Sequence, residues 1–423
     1  MALSTPQAFI LSAVTALVLA SLPLWFLLAL NPLGILLRSS SNREQQSGQE
    51  SIYDNVDVTI LNNTRPTSEW MNMGWWTDRR LDSDPKQPCD AHFLGDREQP
   101  ERIQEEAVAQ PCTTHADPPT FPEACQRLAN NLYRASGLPR APHHDTTGLS
   151  ILDLGHGTGE SLLLLLREYR PAILHGVTLD RRGAARALSR LSRAARDQSA
   201  QGLSSTAFNI WQCDATTHLR SKAGDRVAEA VTEKVRYDYI FALDCAYHFS
   251  GSKADFFEAA YERLGPGGTL SLFDIFEAMP YPKSDSFAAH QSWFSASRTL
   301  PRRRRQQLSL WQSVKLRLFS LIAAAPRQNI LPFAEYYRLL RSAGFADITL
   351  LDVSEDVFPG FSQFLRGLGE EQWRKGSVPW AMKTSIRFFS GFVRDWADGG
   401  DRGLLRGGIV VARKQTRHRT DIS

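Results

Sequence analysis

The chain has 423 residues, 42% hydrophobic and 22% charged, which lies near the average for folded proteins and excludes a largely disordered or fibrous chain. A formal net charge of +4, from 49 Lys and Arg against 45 Asp and Glu, is too small over this length to demand a nucleic-acid partner. Cys89, Cys112, Cys125, Cys213 and Cys245 form no CxxC pair and no array with His, so neither a disulfide framework nor a metal is expected.

No charged side chain occurs from Met1 to Leu37, and the apolar run Ala8–Leu30 is long enough to cross a bilayer as a helix. It overshoots the apolar core of a signal peptide and lacks a basic start, so residues 1–38 are expected to form a single-pass membrane anchor. Arg38 and Arg43 follow the run, which by the positive-inside bias places the remainder in the cytosol. Residues 39–52 have the polar composition of a linker. The folded domain is expected over 53–414, with a short tail at 415–423.

Tyr53–Trp76 is dense in aromatic and Met residues, which suits packing onto a body or covering a ligand. From 77 to 119 proline, acids and arginine dominate without apolar periodicity, as in a long surface loop. Ala124, Leu128 and Leu132 then restore helical spacing up to Gly137. Beyond it, LSILDL, ILHGVTL, FNIWQC, YDYIFALD and TLSLFDI read as strands separated by turns or helical segments such as SLLLLLREY and 182–196. This alternation predicts an α/β fold with a mostly parallel, doubly wound sheet, which gathers ligands at the carboxyl ends of its strands.

The turn after the first strand, Asp153-Leu154-Gly155-His156-Gly157-Thr158-Gly159, brings backbone close to a ligand. A nicotinamide fingerprint would need glycine where Glu160 stands, which disfavours an oxidoreductase. Asp180 ends the second strand, where a carboxylate accepts from ribose hydroxyls, and Asp214 ends the third. An acid at a strand end is often only a turn former or helix cap, but the register of these acids with the glycine turn favours a site.

On these residues the chain resembles the class I S-adenosylmethionine-dependent methyltransferases, in the branch with the ubiquinone, phosphoethanolamine and sarcosine methyltransferases and the cyclopropane fatty acid synthases. The resemblance implies a Rossmann-like seven-stranded sheet, closed by an antiparallel terminal strand near RGGIVVARK, and S-adenosyl-L-methionine as cofactor. It places Asp153, Gly155, Gly157 and Gly159 around the methionine part, Asp180 on the ribose, Asp214 and Ala215 beside adenine and Asp244 at the same rim. Trp75 or Trp76 of NMGWW would close over the cofactor.

At the ends of the fourth and fifth strands, His248 is the expected general base, with Asp274 as its partner or as a substrate anchor, both facing the crevice. Residues 280–328 form a further insertion, in which Arg302–Arg305 precede a stripe of Leu308, Trp311, Val314, Leu318 and Leu321. That pattern suits a lid helix packed on the domain or a basic helix on an anionic membrane. The expectation is therefore a methyltransferase for a small-molecule or lipidic acceptor at a membrane; an inactive membrane-tethered scaffold of the same fold is the rival. The acceptor atom and oligomeric state are not legible.

Overall fold

The computed structural model describes residues 68–79, 81, 118–141, 148–203, 205–221, 235–278, 325–374 and 404–416, with isolated helical positions between 313 and 320 and between 387 and 396. The expected anchor and linker, residues 53–67, Cys89 and Cys112, and most of the two insertions and of the tail lie outside the described residues. Among the described residues no helix is long and apolar enough to cross a membrane.

Strands β1 (Ser150–Leu154), β2 (Ile173–Thr178), β3 (Ala207–Gln212), β4 (Tyr237–Leu243), β5 (Leu264–Glu277), β6 (Asp347–Asp352) and β7 (Leu405–Arg413) form a seven-stranded sheet in the order β3-β2-β1-β4-β5-β7-β6. The pairs among β1 to β5 are parallel. β7 slots between β5 and β6, antiparallel to both. The mixed α/β architecture is the doubly wound one expected, and the strand order reverses between β1 and β4, where such sheets open a crevice.

Alternation along each strand feeds two cores. Ile151, Phe241, Phe273 and Val411 pack with α1 (Phe121–Ser136), α2 (Glu160–Leu164) and α3 (Arg181–Ala200). Their neighbours Leu152, Ile240, Leu272 and Val410 pack on the opposite face with α4 (Ala215–Arg220), α5 (Lys253–Arg263) and α6 (Phe333–Ser342). Helices on both faces explain why the central strands read as near-continuous apolar runs. The helix α1 starts where the Glu123 carboxylate accepts from the Thr120 N–H at 2.8 Å and ends at Gly137 in the left-handed region, as its sequence signals require. α3 buries Gly183, Ala187, Leu191 and Ala194, one stripe at helical spacing.

A last helix, α7 (Ser354–Arg374), joins the α1 side, where Trp396 and Phe319 also lie. The apolar stripe expected in the insertion is corrected at Val314, which is 47% exposed. Leu316 and Phe319 are buried instead, with the Phe319 ring edge-on to Trp396 at 4.8 Å. Leu308, Trp311, Leu318 and Leu321 lie outside the described residues.

Candidate active site

β1 leaves the sheet through Gly155, His156, Gly157, Thr158 and Gly159, with all three glycines at positive φ. At Gly159 a Cβ would meet the Ala187 Cβ of α3 at 2.7 Å, so glycine sets how closely α3 docks. At Gly157 a Cβ would meet nothing nearer than Met71 Sδ at 3.9 Å, so it would fill a cradle rather than strike the fold. Between Gly155 and Gly157 the His156 ring is buried, and its Cδ2 lies 2.7 Å from where a Cβ on Gly176 would stand. Burial drives this imidazole down to about 4, so it is neutral at ordinary pH.

The expected acids converge at this rim. Asp153 is buried, accepts from the Ser161 hydroxyl at 2.5 Å, and is pushed by desolvation up to about 7. Asp180 caps α3, its Oδ1 accepting from the Arg182 N–H at 2.9 Å, and Asp214 caps α4 by accepting from the Thr217 N–H at 2.8 Å. Both are helix caps and cleft residues at once. Together with Gly155, Gly157, Ala215, Asp244 and His248 they line one cleft, whose empty space, counting the part open to solvent, is about 960 Å³.

Three expectations need correction: Gly159 packs against Ala187 of α3 and does not line the cleft. Trp75 and Trp76 do not line the cleft. Trp75 is fully buried in the core, and the Trp76 ring stacks on Phe364 at 5.5 Å. The wall is formed by the residues just before them, Glu69, Trp70, Met71 and Asn72. Glu69 fastens this strap: its carboxylate accepts from Arg186 Nε at 2.5 Å, its N–H donates to Glu160, and its carbonyl accepts from the Thr158 hydroxyl at 3.0 Å. Nothing in the local pattern marked Glu69, whose partner Arg186 lies 117 positions away.

Asp274 likewise does not reach the cleft. It is fully buried beneath the other face of β5, paired with Lys253 and accepting from the Tyr336 hydroxyl at 2.7 Å. An acid at the middle of so apolar a strand survives because a cation from α5 and a phenol from α6 meet it. His248, by contrast, sits in the cleft wall on a tight turn, Ala246–His248, after β4. Asn329, not foreseen, clamps that turn by donating to the Phe249 carbonyl at 2.7 Å and the Tyr247 carbonyl at 3.4 Å. Among the described residues no cluster of His, Cys, Asp and Glu could hold a metal ion.

A family model described as a methyltransferase domain matches residues 125–350, more than half of the chain. The chain belongs to the methyltransferase domain family. It is an S-adenosylmethionine-dependent methyltransferase of a seven-stranded, Rossmann-like fold. This methyltransferase is 28% identical over 286 residues to the erythromycin 3''-O-methyltransferase of Saccharopolyspora erythraea, covering 67% of this chain and 74% of that relative. Among solved structures it is similar to phosphoethanolamine N-methyltransferase 2 of Haemonchus contortus, at 17% identity and a TM-score of 0.45, over 69% of this chain. The match spans 53% of the Haemonchus enzyme, about half of its length. A cyclopropane synthase of Mycobacterium tuberculosis is similar at 16% identity and a TM-score of 0.45, over 70% of this chain and 86% of that one.

The residues present suit the methyltransferase's cofactor, S-adenosyl-L-methionine. The cradle at Gly157 leaves room for a ligand against the backbone. The buried Asp153, whose burial opposes its own ionisation, is the kind of acid that a cationic amino group relieves.

Proposed function

We propose that the enzyme moves a methyl group to a hydroxyl of a small or lipidic acceptor presented at a membrane, with His248 as the base that takes the acceptor's proton. The carrying observation is that His248 and the acids Asp153, Asp180 and Asp214 open onto the same cleft. In this reading Asp153 and the backbone of Gly155–Thr158 hold the amino-acid end of the cofactor. Asp180 accepts from the ribose hydroxyls, Asp214 and Ala215 flank the base, and Trp70 and Met71 exclude water from above. When bound, S-adenosylmethionine supplies a methyl carbon on a positively charged sulfur, open to in-line attack. His248 orients the acceptor oxygen and holds its proton on an imidazole nitrogen, a task that suits the group near neutral pH.

An oxygen acceptor is supported by the erythromycin relative, whose name gives that acceptor atom. A membrane location is supported by the apolar run Ala8–Leu30 with Arg38 and Arg43 after it. On this reading residues 1–38 anchor a cytosolic catalytic domain through the linker at 39–52, and 280–328 cover the acceptor. The test is incubation of the full chain with methyl-labelled S-adenosylmethionine and membrane extracts rich in hydroxylated lipids and metabolites. A labelled product should form and fall by roughly a hundredfold in His248→Gln, the usual scale for losing a general base. Undiminished product from that variant removes His248 from the role, and no labelled product from any extract removes the acceptor assignment.

A further inference from the structure

Asp244 stands at the end of β4 with φ 58, in the left-handed region that side chains other than glycine rarely enter. Such a conformation costs free energy and persists where surrounding contacts enforce it. Both of its carboxylate oxygens are engaged, and by different parts of the chain. Oδ2 accepts from the backbone N–H of Met73, in the strap over the cleft, at 2.7 Å. Oδ1 accepts from the Tyr247 hydroxyl, in the turn that carries His248, at 2.9 Å.

The Tyr247 ring in turn lies against the His248 imidazole, with centroids 4.2 Å apart. Asn329 braces the same turn from the other side through the Tyr247 and Phe249 carbonyls. A chain of contacts therefore runs from the strap that walls the cofactor's end of the cleft to the imidazole at its acceptor end.

We infer that Asp244 is a positioning residue that couples the two: seating of the strap over the cofactor and placement of His248 in the cleft are one event, transmitted through the Met73 N–H, the Asp244 carboxylate and the Tyr247 hydroxyl. The inference rests on the cofactor and base assignments proposed above. It gives a role to an acid that stands at a strained backbone position with both of its oxygens engaged inside the protein. A glycine there would relieve the backbone and cut the link.

The test is amide hydrogen exchange on the full chain, with and without S-adenosylhomocysteine, in the wild type, Tyr247→Phe and Asp244→Asn. Tyr247→Phe removes the hydroxyl alone, and asparagine tolerates the left-handed region while offering a single acceptor oxygen. In the wild type the ligand should slow exchange both in the strap, 69–76, and in the turn, 246–249. In Tyr247→Phe the strap should still be slowed, while the protection gained by the turn should fall about fivefold, the equivalent of one hydrogen bond. Asp244→Asn should weaken the response of at least one of the two segments. Equal slowing of the turn in all three proteins overturns the coupling. Tight ligand binding with protection of the strap but none of the turn in the wild type overturns it too. No binding in the wild type refutes the cofactor assignment, and the coupling with it.

Discussion

On the β1–β3 side of the cleft, Asp180 and Asp214 stand at strand ends, cap the helices that follow and line the cavity. On the β4–β5 side the acids are spent on the protein itself, Asp244 on Met73 and Tyr247, and Asp274 on Lys253 and Tyr336. Ligand-facing acids are cheap to maintain at helix starts because backbone N–H groups already favour negative charge there. Asp274, inside the sheet, has a dedicated cation in Lys253, and so paired it is no longer available for chemistry.

The largest effect should come from breaking the buried pair. Lys253→Ala leaves Asp274 uncompensated and should lower the unfolding free energy by about 3–5 kcal/mol in denaturant titration. Cofactor affinity of the remaining folded protein should be unchanged; a marked fall in that affinity would return Asp274 to the site. On the other side, Asp180→Ala should weaken S-adenosylmethionine binding by roughly a hundredfold in calorimetry, from the loss of charge-assisted bonds. Its stability should drop by only about 1 kcal/mol, the cost of a lost helix cap. A change in stability without a change in affinity would reduce Asp180 to a cap.

Acidity sharpens the contrast further. Burial holds Asp153 and Asp244 up near 7, against an ordinary value of 3.8. The folded protein thus binds these protons more tightly than the unfolded chain. That contribution to stability is complete below the unfolded value and is lost as pH rises through about 7. A cationic ligand favours the ionised forms, so cofactor affinity should rise about tenfold from pH 6 to pH 8 and take up buffer-dependent heat from proton release. Affinity flat across that range would place neither acid near positive charge. The smallest effect is expected at the strap: Glu69→Gln keeps the shape but weakens the pairing with Arg186 and Arg190, and should raise the cofactor's dissociation rate about threefold in stopped flow.

Much of the β1–β3 side is legible in the sequence because its determinants are local. A run of apolar residues, a glycine turn and an acid at the next strand end occupy fixed offsets, and local backbone geometry converts those offsets directly into position. The other side is not legible in that way. Asp274 has the same look as Asp180, but its partner Tyr336 comes from 62 positions away. The strap defeats pattern reading for a further reason. It is neither helix nor strand and has Gly74 at φ 75, so periodicity does not say which of Trp70, Trp75 and Trp76 meets the cavity. Val314 shows the limit of helical spacing, since a residue that fits the period is exposed while Leu316 and Phe319, off that stripe, are buried.

The slot that β7 fills has a consequence for how the chain is made. A nascent chain that has emerged only through β6 holds β5 with one long side unpaired, and β6 without a neighbour, because the strand that joins them is synthesised after both. Until it arrives, an apolar edge stands open to other chains, the situation in which strands recruit strangers. Synthesis stalled before residue 405 should accordingly yield aggregates and chaperone complexes rather than a smaller folded enzyme.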